Sequence, residues 1–542
     1  MSSQPTDPMI LPLWQALLLL APAAAAALAA ALAGPRRDAA TAWRIARLAA
    51  TAGLGLALLS LVAVLAGSQG QAFGQRADLL GAAVQTLVAF IGWVIVRYSQ
   101  PYLNGEHGES GYVRWLMATL AAVGVVVVSN HLLVLALAWM GTSLALHRLL
   151  TFFGERPAAV VAAHKKFIVG RAADLCMLGA TALFALAFGT LHIDQIVARA
   201  AAAPLPVIAQ AAVVLIALAA LLKCAQLPFH GWLIQVMEAP TPVSALLHAG
   251  IVNLGGFVLM RFAPLVSEVG MAQWLLVLVG GITAVLAALV MSTRISIKVS
   301  LAWSTCAQMG FMLMQCGLGA WEMAALHLLA HSLYKAHAFL AAGGAVRRAQ
   351  LRQLAPVAAA PSAAELAVGM LLGLGMTLAA GAAVGALGPA PQAQPVIWVL
   401  AAIVALALVP LLRGQALAGG GGGSRWVVAT LAGSFAVAAA YFVLHALLAG
   451  RLGGHEAAAP TLLVALVALL FAALFIVQSA VAVAPQGALA RRLYPWFYGG
   501  LFLDEAFTRR AFARWPPPAP RAAGHAPLIT PPFNVTATGA RP

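Results

Sequence analysis

Charged side chains are scarce in this sequence. Asp, Glu, Lys and Arg make up 8% of the 542 residues, whereas 63% of the residues are hydrophobic and the mean hydropathy is +0.94. A soluble chain carries about a quarter charged residues. Because even a large globular domain keeps a polar surface, the shortage of charge excludes an ordinary soluble protein. It indicates an integral membrane protein.

Cysteine is almost as rare, with four residues in the whole chain. Cys176, Cys224, Cys306 and Cys316 all lie in apolar segments, and their spacing does not match a zinc-binding pattern. We interpret them as buried free thiols. The sequence therefore predicts neither a metal ion nor another cofactor in this chain.

Apolar stretches of about 20 residues, each long enough to cross ~30 Å of hydrocarbon, recur along the chain. The alternation of a membrane β-barrel is missing, which indicates helices. The first stretch has too long an apolar core, and no basic region before it, for a cleaved signal peptide. We predict an all-α polytopic membrane protein with about 13 to 15 transmembrane helices. The predicted spans are 10–33, 48–67, 79–99, 113–129, 131–153, 167–190, 207–222, 240–262, 271–291, 295–316, 321–342, 362–388, 394–412, 426–450 and 459–483.

The net charge of +16 and the isoelectric point near 10.7 suggest a nucleic-acid partner, but the positions of the charges argue against one. Basic residues cluster after odd-numbered spans, whereas the other loops are poor in Lys and Arg or balance them, as Arg76 does with Asp78 and Arg451 with Glu456. The positive-inside rule then predicts a bacterial inner-membrane protein with its N-terminus outside and its C-terminal tail in the cytoplasm. The clustered basic residues are Arg36, Arg37, Arg44, Arg47, Arg156, Lys165, Lys166, Arg347, Arg348, Arg352, Arg413, Arg425, Arg491 and Arg492.

Composition divides the chain into four regions. Residues 1–112 form apolar N-terminal helices, and residues 113–350 form a core where ionisable and helix-breaking residues gather. Residues 351–485 are again bland apolar helices, interrupted by "GGGGGS" at 419–424. Residues 486–542 are expected to form a cytoplasmic, proline-rich tail.

The segment "LHLLAHSLYKAHAFL" places ionisable residues inside an apolar helix. His327, His331 and Lys335 are four residues apart, so they form one stripe about 12 Å long. A Lys near the bilayer centre costs roughly 3 kcal/mol even on the lenient insertion scale. Such side chains persist when they face partners or water inside the bundle.

Further ionisable residues accompany helix breakers. "LLKCAQLPFHGW" puts Lys223 in apolar sequence, and Pro228 is expected to interrupt that helix. Irregular backbone at membrane depth is tolerated where it lines a wet cavity. "EAPTPVSALLHAG", which follows, contains Glu238 and His248. The sixth span carries Arg171 and Asp174 at i, i+3, a spacing at which the two side chains can pair. The tenth span adds Lys298.

Lys and His suit proton handling because burial and neighbouring charges bring their titration close to neutral pH. Neighbouring sites then titrate as a coupled set, and a row of them bridged by water forms a proton pathway. The sequence alone leaves other interpretations open. His327 and His331 could bind a metal ion, His337 could join helices and Lys298 could snorkel. The Arg171–Asp174 pair, or even the whole set, could be structural.

These segments resemble a known family. "LLKCAQLPFHGWLIQVMEAPTPVSALLHAGIVNLGGFVLMR" is similar to the signature of the antiporter-like subunits of respiratory complex I, especially the NuoL type, and of Mrp antiporters. "RYSQPYLNGEHGESGYVRW", "ISIKVSLAWSTCAQMGFMLMQCGLGAWEMAALHLLAHSLYKAHAFLAAG" and "WFYGGLFLDEAFTRRAF" fit the same family. The resemblance covers about residues 80–345 and returns near 494–512. It implies an antiporter-like fold of two inverted five-helix repeats, each with a broken helix, around a hydrated polar axis.

The resemblance also implies roles. Lys223 is expected to be the central lysine of the first broken helix, with His248 beside it, and Asp174 matches a family carboxylate on the sixth helix. His327, His331 and Lys335 are expected to connect the two repeats. The proton pathway predicted from these six residues has Arg171, Lys298, His337 and Glu238 as secondary members.

The departures from the family pattern are equally specific. Met140 stands where the family has a glutamate on the fifth helix, and the segment 362–388 offers Glu365 where a lysine is usual. The long lateral helix of NuoL has no expected counterpart. A NuoL-like core without that helix resembles the DabB family, the membrane subunits of the DAB inorganic carbon systems.

The DabB resemblance implies a zinc-containing, cytoplasmic DabA-type partner, in a heterodimer or larger assembly. Cation flow, of protons first of all, through the membrane subunit would drive hydration of CO2 to bicarbonate in that partner, and this chain would itself not be an enzyme. One alternative is a proton-pumping NuoL-like subunit of a respiratory oxidoreductase, against which Met140 and the expected lack of a lateral helix count. A second is a non-conducting membrane anchor, which the retained Lys223 and the His/Lys stripe oppose.

Overall fold

The structure is a computed structural model of the chain. The "GGGGGS" segment up to residue 423, the basic residues Arg348 and Arg352, the Arg451/Glu456 pair and the tail from residue 521 lie outside the described residues. The structure describes residues 11–34, 36–345, 347, 349–350, 360–387, 394–416, 424–448 and 459–520.

Long helices account for almost all of the described chain. The helices before the first break are α1 (Leu13–Leu32), α2 (Ala39–Leu65), α3 (Leu79–Tyr102), α4 (Glu109–Val128), α5 (Leu132–Leu150), α6 (Pro157–Phe188), α7 (Ile193–Ala202) and α8 (Val207–Lys223). The central helices are α9 (Gly231–Gln235), α10 (Thr241–Leu246), α11 (Leu254–Arg261), α12 (Ala263–Glu268), α13 (Gly270–Met291), α14 (Ile297–Gly317) and α15 (Trp321–Leu340). The last helices are α16 (Ala363–Leu387), α17 (Pro395–Ala416), α18 (Ser424–Leu448), α19 (Thr461–Val483), α20 (Ala488–Tyr498) and α21 (Leu503–Arg514).

Twelve helical segments of the described chain are long and apolar enough to cross a membrane. One of them, Thr241–Arg261, joins α10 and α11 through the π-helical turn Leu247–Ile251. Three more predicted spans correspond to α8, which is shorter, and to α14 and α15, which carry more polar side chains. The chain is therefore a multi-pass helical membrane protein, as the sequence predicts. The inverted relation of the two repeats stays a prediction.

Close helix packing depends on glycine at one crossing. A Cβ atom added to Gly310 of α14 would lie 2.5 Å from the carbonyl oxygen of Gly280 of α13, and a Cβ on Gly280 would lie 2.6 Å from the Gly310 carbonyl oxygen. Small residues let helix backbones approach where lipid removes the hydrophobic drive between helices. This crossing holds together the helices that precede the His/Lys stripe.

A short hairpin, which the sequence analysis did not predict, precedes α3. Its strands β1 (Gly70–Ala72) and β2 (Gln75–Ala77) pair antiparallel, and Asp78 follows directly. Asp78 accepts a hydrogen bond from the backbone N–H of Gly81 at 2.7 Å and forms ion pairs with Arg76, at 2.8 Å, and Arg261. Burial alone would raise the pKa of the Asp78 carboxyl, but the two guanidinium groups hold that pKa below 3.8. The predicted balance of Arg76 and Asp78 is thus a direct contact.

The C-terminal segment returns to the middle of the chain. Asp504, at the start of α21, accepts hydrogen bonds from Lys165 of α6 at 2.8 Å and from Gln235 of α9 at 2.8 Å. Arg294, between α13 and α14, donates to the carbonyl oxygen of Phe497 at 2.6 Å. These contacts attach α20 and α21 to the end of the bundle where the first broken helix resumes.

Candidate functional site

The helix break falls where the sequence predicts it. α8 ends at Lys223, five residues before Pro228, and α9 begins at Gly231. Between them Ala225 adopts a left-handed conformation with φ of +53°. Because α8 is otherwise apolar, the break leaves the Lys223 ammonium at a helix end within the bundle, with 10% of its side chain exposed.

Lys223 forms a buried ion pair. Its ammonium lies 2.7 Å from the carboxylate of Asp174 on α6, whose side chain is 7% exposed. It also donates to the carbonyl oxygen of Trp139 on α5 at 3.3 Å and lies 5.0 Å from the centroid of the Trp139 ring. Trp139 directly precedes Met140. The structure therefore gives Lys223 a carboxylate partner from α6, beside the position on α5 where the family resemblance predicts a glutamate.

Asp174 is shared between two cations. The predicted i, i+3 pair is present, with the Arg171 guanidinium 2.6 Å from the second oxygen of Asp174. One carboxylate thus neutralises part of the charge of both Arg171 and Lys223. A buried arrangement with more cations than carboxylates is costly when every group is charged. Loss of a proton from Lys223 would relieve that excess.

Two further lysines in α6 are sites that the sequence analysis missed. Lys165 and Lys166 were predicted to lie in a basic loop, which is wrong, because α6 begins at Pro157. They lie about 12 Å along the helix from its start, and both are buried. Lys165 pairs with Asp504, and Lys166 donates to the carbonyl and hydroxyl oxygens of Ser143 on α5. Together with His164 and the earlier Arg156, they form a basic segment that is typical of a loop.

The second cluster is the stripe on α15. The Nδ1 atom of His327 lies 3.0 Å from the Oε1 atom of Gln315 on α14, and the rings of His327 and His331 are 5.9 Å apart. The Lys335 ammonium donates to the carbonyl oxygen of Leu301 on α14 at 3.2 Å. The predicted spacing therefore places the three side chains on the α14 side of α15.

An open cavity of about 450 Å³ borders this stripe, which is room for several water molecules at ~30 Å³ each. α14 and α15 contribute polar side chains to its wall, and α17 and α18 contribute a mainly apolar wall. The lining residues that matter here are Ser304, Gln308, Gln315, His327, His331, Lys335 and Tyr441.

His248 lies beside the stripe. It sits in the π-helical turn between α10 and α11, is fully buried, and stacks on Phe339 of α15 with ring centroids 4.4 Å apart. Both ring nitrogens of His248 and of His331 are buried without a hydrogen-bond partner among the described residues. Buried polar atoms are normally satisfied by protein or by water, and His331 lines the cavity that can supply water.

The secondary residues are dispersed. The Lys298 ammonium donates to the hydroxyl of Thr241 at 2.8 Å and so joins α14 to the start of α10. Glu238 forms a 3.8 Å ion pair with Arg156, and both side chains are about half exposed. His337 is exposed, on a different side of α15 from the stripe. The structure does not bring these three residues together with either cluster.

Glu365 caps the start of α16. Its carboxylate accepts from the backbone N–H of Ser362 at 3.1 Å, and the Ser362 hydroxyl accepts from the backbone N–H of Glu365 at 3.1 Å. This reciprocal capping box stabilises the helix start. α16 is continuous from Ala363 to Leu387, and it contains no proline that would repeat the break seen after Lys223.

Metal ligands do not converge in the part of the chain that the structure describes, where no group of three or more His, Cys, Asp or Glu side chains is positioned to hold an ion. The His327–His331 pair therefore lacks a third ligand among the described residues. Its surroundings are those of imidazoles beside a cavity.

Comparison with known proteins defines the class. Residues 129–359, which include both clusters, match the family model described as NADH:quinone oxidoreductase/Mrp antiporter, TM. The chain is also similar to the structure of the Mrp complex from Dietzia sp., with a TM-score of 0.60 and 27% identity over 92% of this chain and 59% of that one. The fold is thus that of an antiporter-like membrane subunit, and both buried clusters lie within the residues that match the family model.

Curated relatives narrow the class to a family. The chain is 36% identical to the probable inorganic carbon transporter subunit DabB2 of Halothiobacillus neapolitanus over 89% of this chain and 90% of that protein. It is 52% identical to the probable inorganic carbon transporter subunit DabB of Hydrogenovibrio crunogenus over 61% of this chain and 63% of that protein. The chain belongs to the DabB family.

More distant similarity extends to respiratory subunits. The NADH-quinone oxidoreductase subunit L of Mycobacterium tuberculosis is 33% identical over 51% of this chain and 44% of that protein. The chain thus spans less than two thirds of this relative and of the Hydrogenovibrio protein, whereas its match to the Halothiobacillus protein is nearly end to end.

Proposed function

We propose that this chain is the proton-conducting, or more generally cation-conducting, membrane subunit of an inorganic carbon accumulation system. Cation flow down its gradient is coupled to hydration of CO2 to bicarbonate in a zinc-containing DabA-type partner. The names of the closely similar DabB relatives support the inorganic carbon part. The antiporter-like family supports the cation part.

The observation that carries the proposal is the buried Lys223–Asp174 pair at a helix break. Taking two charges out of water costs several kcal/mol per ion. The attraction between the two charges offsets this cost only in part, so apolar residues at the same place often give equal or greater stability. A chain that is 63% hydrophobic has many apolar residues with which to fill that position. A role in ion movement accounts for the retained charges.

The geometry supports a stepwise path. When Lys223 is neutral, Asp174 keeps its pair with Arg171, so the carboxylate does not become an isolated buried charge. On the second side, Lys335 and His331 line the cavity beside α15, where water can join them, and His248 stacks on Phe339 of the same helix. Protonation of one member raises the cost of protonating its neighbours, so that a proton entering at one cluster favours release from the next.

The partner supplies the carbon chemistry. A zinc-bound water is the usual nucleophile for hydration of CO2, and the described part of this chain has no cluster for that metal. We place the C-terminal segment 486–520 and the basic loops on the cytoplasmic side of a bacterial inner membrane, where α20 and α21 would face a soluble partner.

Growth rescue tests the proposal. A host without carbonic anhydrase, expressing this chain with its DabA-type partner, should grow at ambient CO2. Lys223→Ala and Lys335→Ala should each abolish rescue while the complex still co-purifies, because each removes an exchangeable proton from a buried cluster. Arg114→Ala, which removes an exposed cation on α4, should leave rescue intact. Normal growth with both lysine variants would contradict the proposed function.

The similarity to NADH-quinone oxidoreductase subunit L supports a second candidate, a pumping subunit of a respiratory complex. The neighbouring genes separate the two. A gene for a large zinc protein favours carbon accumulation, whereas a run of genes for redox subunits favours a respiratory pump.

A further inference from the structure

Lys166 is a buried lysine that the path described so far does not use. It lies on α6 with 6% exposure, and its ammonium donates to the hydroxyl of Ser143 at 2.8 Å and to the carbonyl oxygen of the same residue. Among the ion pairs of the described residues it has none. Its neighbour Lys165, by contrast, is paired with Asp504.

Charge balance sets Lys166 apart. Asp174 is the carboxylate nearest in sequence on α6, and it already contacts both Arg171 and Lys223. If Lys166 and Lys223 were charged together with Arg171, three cations would face one carboxylate. Like charges in a low-dielectric interior disfavour one another strongly. Occupation of one lysine by a proton therefore opposes occupation of the other.

A cavity joins the two lysines. It is bordered by Lys166 and Lys223, with Ser143, Thr142, Trp139 and Trp232 among its walls, and its volume is about 20 Å³. A site of about 10–15 Å³ is enough for one water when polar groups surround it. The cavity therefore has room for one water beside the two lysines that line it.

A third titratable side chain, His147, follows Lys223 and Lys166 in the direction of the loop between α5 and α6. It lies four residues after Ser143 in the last turn of α5, so the two side chains share one side of the helix. Its ring lies 5.6 Å from that of Phe167 on α6, and its Nδ1 atom is buried without a hydrogen-bond partner among the described residues. His147 is partly exposed, and it lies one turn nearer than Ser143 to the loop between α5 and α6.

We propose that Lys166 is a second proton-exchanging lysine, which receives a proton from Lys223 through one cavity water and passes it to His147 towards the α5–α6 loop. The Lys223 ammonium gives a proton to the water, and the water gives one of its protons to the neutral Lys166 amine. Lys223 ends as the amine, Lys166 as the ammonium, and the water is restored. This inference rests on the proposed function, and it places one end of the proton path at the loop between α5 and α6.

A purely structural role would make Lys166 a tether between α5 and α6. Lys166→Arg separates the two roles. The guanidinium keeps the charge and can still donate to Ser143, but Arg does not release its proton in proteins. Lys166→Gln keeps donors to Ser143 without a charge. A tether tolerates both changes, whereas a proton relay tolerates neither.

Proton flux in proteoliposomes provides the measurement. The complex is reconstituted with an internal pH-sensitive dye, a potassium diffusion potential is imposed with valinomycin, and the initial rate of internal pH change is recorded. Lys166→Arg and Lys166→Gln should each lower the rate at least tenfold with unchanged size-exclusion profiles. The control Arg114→Gln, which removes an exposed cation on α4, should keep the rate within about twofold of the unmodified chain.

The outcomes are distinct. Flux in the unmodified complex that persists in either Lys166 variant overturns the relay and leaves the proposed function standing. Absence of flux in the unmodified complex, with flux restored by a known proton carrier, overturns the proposed function and the relay with it. If one variant fails to assemble, the other decides, since they differ in charge and size.

Discussion

At the residue scale, Asp174 is the side chain on which the first cluster depends. It is the carboxylate in contact with both Lys223 and Arg171. The i, i+3 spacing predicts its pairing with Arg171, but no sequence pattern predicts its contact with Lys223, because that contact requires α8 to end beside α6. Two cations that compete for one carboxylate make the charge state of Lys223 responsive to its surroundings.

Asp174→Asn should therefore impair the protein in two ways. Removing one partner of a buried ion pair leaves uncompensated charge, which should lower the free energy of unfolding by about 3 kcal/mol. The variant should also fail in the growth-rescue assay. Thermal unfolding in detergent measures the first effect, and Asp174→Glu is the matched control that keeps the charge. Unchanged unfolding in Asp174→Asn would contradict the shared-carboxylate arrangement.

The residues also differ in how far the sequence could place them. The stripe of His327, His331 and Lys335 was predictable because charges stand out in apolar sequence and helical periodicity fixes their common side. Lys166 was not predictable, because the basic cluster "HKK" a few residues after Arg156 is typical of a basic loop, and the start of α6 decides its burial. Glu365 looked like a substitute for a family lysine, yet its position three residues after Ser362 makes it a helix cap.

At the element scale, the contact between α13 and α14 is set by backbone rather than by side chains. Gly280 and Gly310 face each other so closely that either Cβ would overlap a carbonyl oxygen. α14 in turn supplies the Leu301 carbonyl that accepts from Lys335. The position of the stripe thus depends on a crossing some distance from it.

Gly310→Ala should separate these helices. Its methyl group would meet the Gly280 oxygen at 2.5 Å, and a backbone atom cannot move aside as a flexible side chain can. Overpacking of this kind costs about 2 kcal/mol, measurable as a lower thermal unfolding temperature. In Gly55→Ala, where nothing lies within 4 Å of the new atom, stability should be unchanged or slightly higher because alanine favours helix. Equal behaviour of the two variants would show that the crossing tolerates a methyl group.

The sequence predicts the helix break after Lys223 but not the hairpin before α3. Pro228 correctly marked the interruption after Lys223, since proline removes a backbone donor. Nothing in the sequence pointed to the β1–β2 hairpin, whose eight residues lie in a connecting loop between predicted spans. The turn there uses left-handed residues, including Gly74 with φ of +71°, and such short elements leave little periodic signal.

At the scale of the whole molecule, the C-terminal helix α21 packs against the middle of the chain. Asp504 near the C-terminal end of the described chain contacts Lys165 and Gln235, so α21 packs on the segment that follows the first helix break. A Cβ atom at Gly231 would lie 1.6 Å from a carboxylate oxygen of Asp504. The glycine is required for this close approach.

Gly231→Ala should displace α21 from the bundle, because the new methyl group and the Asp504 carboxylate cannot occupy the same space. Arg509, Arg510 and Arg514, which are exposed on α21, should then be cleaved faster by trypsin, by roughly tenfold if the helix detaches in most molecules. Gly433→Ala, at an open position on α18, should leave the cleavage rate unchanged. Equal rates in both variants would show that α21 accommodates the methyl group without detaching.

The return of α21 has a practical consequence for anyone handling this protein. Shortening the polypeptide before residue 503 would remove more than a solvent-facing appendage, since Lys165 would be left inside the bundle without its counter-charge. Affinity handles and fluorescent fusions therefore belong beyond Trp515, where they leave that neutralising contact in place.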